Sequence, residues 1–214
     1  MGLTKKFRYW SSCFKPRATY DFTSKNLLDK PVIVSLTTVP SRIKYIKPTI
    51  ISLLKQEVKP AYICLNLGER PQKQDIEWVI PRWLEKLNSV KIFWQKHDYG
   101  PATKFMPTLI RHELEDVLII VVDDDMIYPK TLIKNFILAD QQANGKKAFC
   151  TSGHLISQSL NHNYPASRRL KSGMKRVAII EGCGGYCIRP KHFNLENLVD
   201  FDKAPDRSWL IDDL

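Results

Sequence analysis

No stretch of this chain approaches the ~18 consecutive apolar residues that a membrane-spanning helix needs. Residues 1–20 also lack the continuous apolar core of a secretory signal. Cysteine is scarce: Cys13, Cys64, Cys150, Cys183 and Cys187 are odd in number and show no CxxC pair. That spacing argues against zinc and against a disulfide framework. Small buried thiols in a reducing, cytoplasmic setting are the expectation. There is no internal repeat and no low-complexity tract. Acid is in short supply too, with 22 Asp and Glu against 33 Lys and Arg, a formal charge of +11.

What is present is an ordinary globular composition, 43% hydrophobic and 26% charged over 214 residues, enough for one domain with a full core. The positive charge is uneven. Residues 1–30 hold Lys5, Lys6, Arg8, Lys15, Arg17, Lys25 and Lys30 against Asp21 and Asp29, an excess of +5. Residues 165–192 hold Arg168, Arg169, Lys171, Lys175, Arg176, Arg189 and Lys191 against Glu181, an excess of +6. Such excess calls for an anionic partner: nucleic acid, acidic lipid or a phosphorylated ligand. For the scattered lysines, solubility alone is the better account. Residues 1–30 mix these bases with Phe7, Tyr9, Trp10 and Phe14 and read as a separate arm. It either packs on the domain or touches an anionic membrane surface at the cytoplasmic face.

The domain proper is expected over residues 31–214. Pro31 opens a strand at 32–36, and Ser41 stands where it can cap a helix carrying Ile46, Ile50, Leu53 and Leu54. Strands are expected at 61–65, 90–94 and 118–122, with helices at 80–87, 103–114 and 129–143. Strands alternating with helices imply an α/β fold, a mostly parallel central sheet with helices on both faces. Residues 157–176 read as a long polar, basic loop. Short strands are expected at 177–180 and 185–188, flanking a glycine-rich turn.

The densest chemistry is Asp123-Asp124-Asp125, directly after the apolar run at 117–122. A run that apolar is a strand buried on both faces, and ligands of open α/β sheets bind at the carboxyl ends of strands. Three adjacent carboxylates repel unless a cation compensates. Oxygen donors there suit a hard divalent ion, Mg²⁺ or Mn²⁺, shared with a phosphate. The competing reading is a solvated turn that caps the following helix, since Asp is favoured before a helix. One Asp would fit that account well; three after a buried strand fit it poorly.

Four further segments can converge on the same crevice. Thr37-Thr38-Val39-Pro40-Ser41-Arg42 follows the first strand, where backbone N–H groups and an arginine suit a phosphate. Asp98-Tyr99-Gly100-Pro101-Ala102-Thr103-Lys104 follows the third; Gly100 allows close approach and Lys104 supplies a point charge. Glu181-Gly182-Cys183-Gly184-Gly185 is either a ligand-facing turn or a tight hairpin. Asp212-Asp213 is a last acidic pair, of the kind usually solvated.

With these segments in this order, residues 31–214 resemble the GT-A fold glycosyltransferases, most closely the family 2-like enzymes and their viral and bacterial relatives. Asp123-Asp124-Asp125 fits their DxD signature. The resemblance implies a Rossmann-like fold, a nucleotide-sugar donor (UDP as default), Mn²⁺ or Mg²⁺, and a glycan or lipid-linked acceptor. It implies that Thr37, Pro40 and Arg42 line the nucleoside pocket. Asp98, Gly100 and Lys104 would lie near the base, ribose or diphosphate, with Asp123 and Asp124 at the donor. Asp125, with Asp123, would reach the metal. Glu181, Gly182, Gly184 and Gly185 would border acceptor and donor sugar. Asp212 or Asp213, with Asp213 favoured, would be the base of an inverting transfer.

On leaving a strand, Asp123 and Asp125 should face one side and Asp124 the other. Residues 165–176, with Arg168, Arg169, Lys171, Lys175 and Arg176, are expected to order over the diphosphate. Two other classes stay open. A metal-dependent phosphohydrolase also uses acids after a strand, although Ile127 stands where the haloacid-dehalogenase pattern has Thr or Val. A nucleic-acid-binding protein would explain the charge but not the acids, which repel phosphate without a metal; no nucleic acid is expected.

Overall fold

The computed structural model describes residues 21–22, 30–70, 76–154, 174–182 and 184–198. Five strands of the central sheet come in the first 150 residues or close to it: β1 (Val32–Thr37), β2 (Tyr62–Gly68), β3 (Val90–Gln95), β4 (Leu118–Val121) and β5 (Phe149–Cys150). Two short strands, β6 (Gly153–His154) and β7 (Ile179–Ile180), form a separate ribbon, and β8 (Tyr186–Ile188) returns to the main sheet. Between them lie α1 (Lys47–Leu54), α2 (Arg82–Glu85), α3 (Met106–Arg111), α4 (Leu132–Gln142) and, after β8, α5 (Leu195–Leu198). Short 3-10 turns at Ile43–Tyr45, Gly100–Lys104 and Pro190–His192 link these elements.

The sheet order is β3-β2-β1-β4-β8-β5. β1 pairs in parallel with both β2 and β4, and β2 with β3. β8 runs antiparallel between β4 and β5. The chain therefore has the expected α/β architecture. It reverses direction across β1, with β2 and β3 on one side and β4 on the other, so the crevice for a ligand opens where β1 and β4 end.

Residue alternation explains why both faces are covered. Val32, Val34, Leu36, Leu65 and Leu67 meet Ile50, Leu53, Leu84, Ile133 and Phe136 on one face. Ile33, Cys64, Ile119 and Val121 meet Ala102, Met106, Leu109 and Leu195 on the other. Val117 to Val122 are all at most 2% exposed, as a strand buried on both faces requires. Among the described residues no helix is long and apolar enough to cross a membrane.

Several boundaries differ from the sequence expectation. Ser41 is not the N-cap residue: Arg42 takes that place for the 3-10 turn and Ile46 for α1, which starts at Lys47 with Pro48 in its first turn. The expected helix at 103–114 is two pieces, a 3-10 turn and a six-residue helix. Pro107 lies in the first turn of α3, where its missing N–H costs nothing. The expected helix at 80–87 is a single turn, α2. The glycine segment is not a hairpin, because β7 pairs with β6 whereas β8 pairs with β4 and β5. Cys64 and Cys187 are buried free thiols and Cys150 is a half-buried one. Cys13, Cys183 and residues 1–20 of the arm lie outside the described residues.

Asp21 anchors the turn that starts β3. Its carboxylate accepts from the N–H groups of Phe22, Asn88 and Ser89 and from the Ser89 hydroxyl, at 2.5–3.1 Å. Burial would raise its pKa, but these donors together hold it below the ordinary 3.8. A depressed pKa makes this stabilisation complete above pH 3.8 and lost as pH falls through the folded-state value. Between pH 5 and pH 3, wild type should therefore lose more stability than Asp21→Asn, measured by urea midpoints at the two pH values. Equal losses would show that Asp21 does not carry this dependence.

Candidate active site

The acid turn is fastened to its surroundings before any side chain is considered. Val122 N–H donates to the Ser35 carbonyl at 3.0 Å, the last rung joining β4 to β1. Asp123 N–H donates to the Tyr128 hydroxyl at 2.8 Å, and Tyr128 N–H to Ser52 Oγ at 3.1 Å. Thr49 Oγ1 donates to the Asp124 carbonyl at 2.7 Å. Helix α1 thus holds the turn through Thr49 and Ser52, so the three acids have a fixed root.

Each acid then meets a cation from a neighbouring loop. Lys104 Nζ is 2.8 Å from Asp123 Oδ1, with the lysine side chain 6% exposed. Arg42 Nη2 pairs with Asp124 Oδ1 and stands 3.1 Å from Asp125 Oδ2. Thr38 Oγ1 donates to Asp124 Oδ2 at 2.5 Å. Burial pushes Asp124 above its ordinary pKa, against Thr38 and Arg42, with Asp125 adding repulsion. Asp124 is buried, whereas the Asp125 side chain is 65% exposed.

This arrangement corrects the alternation argument. Asp124 and Asp125 share Arg42, and Asp123 faces Lys104. The strand ends at Val121 and residues 124–125 form a turn, so strand periodicity no longer applies. The helix-cap account fails as well, since α4 begins at Leu132 with Thr131 at its N-cap.

The flanking segments are brought to the same rim with different roles. Thr37 Oγ1 donates to the Asn66 carbonyl at 2.7 Å, and Pro40 is buried in the turn that carries Arg42. Asp98 Oδ1 accepts from Gly100 N–H at 2.9 Å and Thr103 Oγ1 at 3.0 Å, while Gly100 takes φ +58°. Asp98 and Gly100 therefore shape the turn that delivers Lys104. Ser152 Oγ donates to Glu181, and Gly185 N–H to the Gly182 carbonyl at 3.3 Å.

Gly184 and Gly185 have φ +85° and +96°. A Cβ on Gly185 would sit 3.3 Å from the Val121 carbonyl oxygen, so this turn leans on β4 just ahead of Asp123. A Cβ on Gly184 would collide with the Thr151 hydroxyl. Gly184→Ala is accordingly expected to lower stability by about 1–3 kcal/mol, read from chemical denaturation. An unchanged midpoint would show that the turn relaxes freely.

The donors suit a hard divalent ion shared with a ligand. Mg²⁺ and Mn²⁺ take one or two carboxylates plus substrate phosphates, and Asp123 and Asp125 supply carboxylate oxygens of that kind. Among the described residues no group of three or more His, Cys, Asp or Glu side chains could hold a metal unaided. Asp212, Asp213 and residues 157–173 of the basic loop lie outside the described residues; Lys175 and Arg176 are exposed. A cavity of about 600 Å³, lined by residues including Lys146, Ile188, Lys191 and His192, contains none of the acid cluster in its lining.

Residues that sequence reasoning did not single out include Thr49, Ser52, Tyr128, Ser35, Asn66 and Thr108. The available signal was polarity inside apolar segments, as in Val34-Ser35-Leu36 and Leu65-Asn66-Leu67.

No family model and no curated protein matches this chain. Solved structures do resemble it. TarS 1-349 from S. aureus is 19% identical with a TM-score of 0.40, over 66% of this chain and 40% of that one. The mannosyltransferase PcManGT from Pyrobaculum calidifontis, in complex with GDP-Man and Mn²⁺, is 17% identical with a TM-score of 0.40, over 73% and 43%. TarS 1-349 in complex with UDP-GlcNAc is 21% identical with a TM-score of 0.39, over 63% and 37%. The chain thus spans about two fifths of the length of these proteins. What the fold and the site define is an α/β protein of mostly parallel sheet, with a cation-braced acid cluster at the carboxyl end of β4.

Proposed function

We propose that the chain is a metal-dependent glycosyltransferase. It moves a sugar from a nucleotide-sugar donor, by default a UDP-sugar, to a hydroxyl of a glycan or lipid-linked acceptor. The observation that carries this reading is the run Asp123 to Asp125 at the end of β4, braced by Arg42 from the β1 loop and Lys104 from the β3 loop. Two cations and three acids at one point suit a diphosphate that arrives with its own divalent ion.

In this reading Asp123 and Asp125 hold the ion, which when bound neutralises charge developing on the leaving diphosphate. Arg42 and Lys104 exchange part of their contact with the acids for phosphate oxygens. The guanidinium offers a fork and the ammonium a point charge. Thr37 and Pro40 border the nucleoside, and the turn at Gly184 and Gly185 borders the sugars. A carboxylate, Asp213 or Asp212, takes the proton from the acceptor hydroxyl as it attacks on the face opposite the diphosphate, giving inversion. The basic arm meets anionic membrane lipids that carry or surround the acceptor.

The products separate this reading from its rivals. Incubation with UDP-sugars and Mn²⁺ should release UDP, slowly by hydrolysis and faster with acceptor. Release of inorganic phosphate from phosphate esters would instead indicate a phosphohydrolase. Salt-dependent DNA binding with neither release would indicate a nucleic-acid-binding protein.

A further inference from the structure

Ser35, Asn66 and Thr108 are out of keeping with their surroundings. Each is 0% exposed, two of them in the middle of otherwise apolar strands. Hydroxyl and amide groups are retained at such positions only when fully bonded. These three form a connected set that includes Cys64. Asn66 Nδ2 lies 3.2 Å from Ser35 Oγ and 3.0 Å from Thr108 Oγ1. Ser35 Oγ lies 2.7 Å from Thr108 Oγ1 and donates to the Lys104 carbonyl at 2.6 Å. Cys64 Sγ lies 3.3 Å from Asn66 Oδ1.

The inventory of donors fixes the direction of the bonds that join Asn66, Thr108, Ser35 and the Lys104 carbonyl. The Asn66 amide nitrogen has only hydrogens to give, and gives them to the two hydroxyls. Ser35 has one hydrogen, and the Lys104 carbonyl can only accept it. Thr108 therefore donates to Ser35. The Cys64 thiol, whose pKa burial raises, lies 3.3 Å from both Asn66 Oδ1 and Thr108 Oγ1 and has its hydrogen to give to one of them. The chain runs one way, from β2 through α3 and β1 to a single carbonyl in the Gly100–Lys104 turn.

That carbonyl belongs to the lysine whose ammonium stands 2.8 Å from Asp123. A lysine is a flexible four-carbon stem and aims only as well as its root is held. We propose that Ser35, Asn66 and Thr108 are positioning residues for Lys104. They clamp its turn against β1 and β2 so that the ammonium is presented at the acid cluster, where it meets the diphosphate of the donor. The diphosphate part of this inference rests on the transferase reading.

Two readouts on the full chain test it. In the ligand-free protein, ¹⁵N NMR of lysine ammonium groups should show one slowly exchanging signal that is missing in Lys104→Met. In Thr108→Val, isosteric but without the hydroxyl, and in Ser35→Ala, that signal should exchange at least about tenfold faster, the worth of one hydrogen bond. Thr108→Ser should keep it. With Mn²⁺, Thr108→Val should weaken UDP binding by about tenfold while leaving uridine binding unchanged. Wild-type ammonium protection and UDP affinity in both variants would overturn the proposal. So would equal loss of UDP and uridine, which marks general loosening. If the NMR arm behaves as expected but wild type binds no UDP, the positioning stands and the transferase reading falls.

Discussion

Lys104→Met is expected to slow sugar transfer by about 10²–10³-fold, the range for deleting one preorganised donor from a charge-stabilising site. The side chain is 6% exposed, and an unbranched Met of similar length fills most of the same buried space. What is lost is a cation 2.8 Å from Asp123, at the point where the diphosphate would accumulate charge in the proposed transfer. Asp123 keeps 29% of its side-chain surface in water, so its carboxylate stays hydrated and the fold should survive. Lys104→Arg should not restore the rate, because the larger planar guanidinium replaces a compact ammonium on a side chain that is almost wholly buried. The measurement is kcat with a UDP-sugar and Mn²⁺, alongside the melting temperature. Wild-type turnover in Lys104→Met would remove the lysine from the chemistry.

Arg189→Ala should act on stability. Arg189 follows β8 and forms a fork with Asp140 of α4, Nε to Oδ1 at 2.9 Å and Nη2 to Oδ2 at 2.6 Å. Its Nη1 reaches Asp116 at 2.6 Å. The two side chains of the fork are 3% and 6% exposed. Removing the arginine strands a carboxylate away from water, which typically costs about 3–5 kcal/mol. For a chain of this size that corresponds to a drop of roughly 6–20 °C in Tm. Replacing both partners by apolar residues should be milder than either single change, because no charge is left alone. The pair sits at the amino end of β4, far from the acid cluster, so metal-dependent nucleotide binding should persist where the variant is folded. A Tm within a degree of wild type would contradict this.

Parts of this architecture were legible because burial leaves a direct mark on composition. The run at 117–122 is apolar at every position, and the strand it forms is covered on both faces. Acids at its end stand out against that background, and their position at the sheet rim followed. The arrangement of the acids did not, since a turn at 124–125 replaces strand alternation with geometry set by Tyr128 close by and by Thr49, far away in sequence. The glycine segment left a hairpin open as one of two readings, because local spacing cannot show that its flanks join different sheets. β5 and β6 are two residues each, too short to carry a period. Ser35 lies inside the strand expected at 32–36 and Asn66 just past the one expected at 61–65; only the fold brings them to Thr108.

The most direct test of the central claim is calorimetric titration of UDP into wild type and Asp125→Ala, with Mn²⁺ and with the metal chelated. Asp125 is the exposed acid of the cluster, paired with Arg42 at 3.1 Å. Wild type should bind UDP at least about tenfold more tightly with Mn²⁺, one carboxylate–metal contact being worth 1.4 kcal/mol or more. Asp125→Ala should bind UDP equally with and without the ion. UDP affinity in wild type that is indifferent to Mn²⁺, or an Asp125→Ala protein that keeps the full metal dependence, would contradict the account.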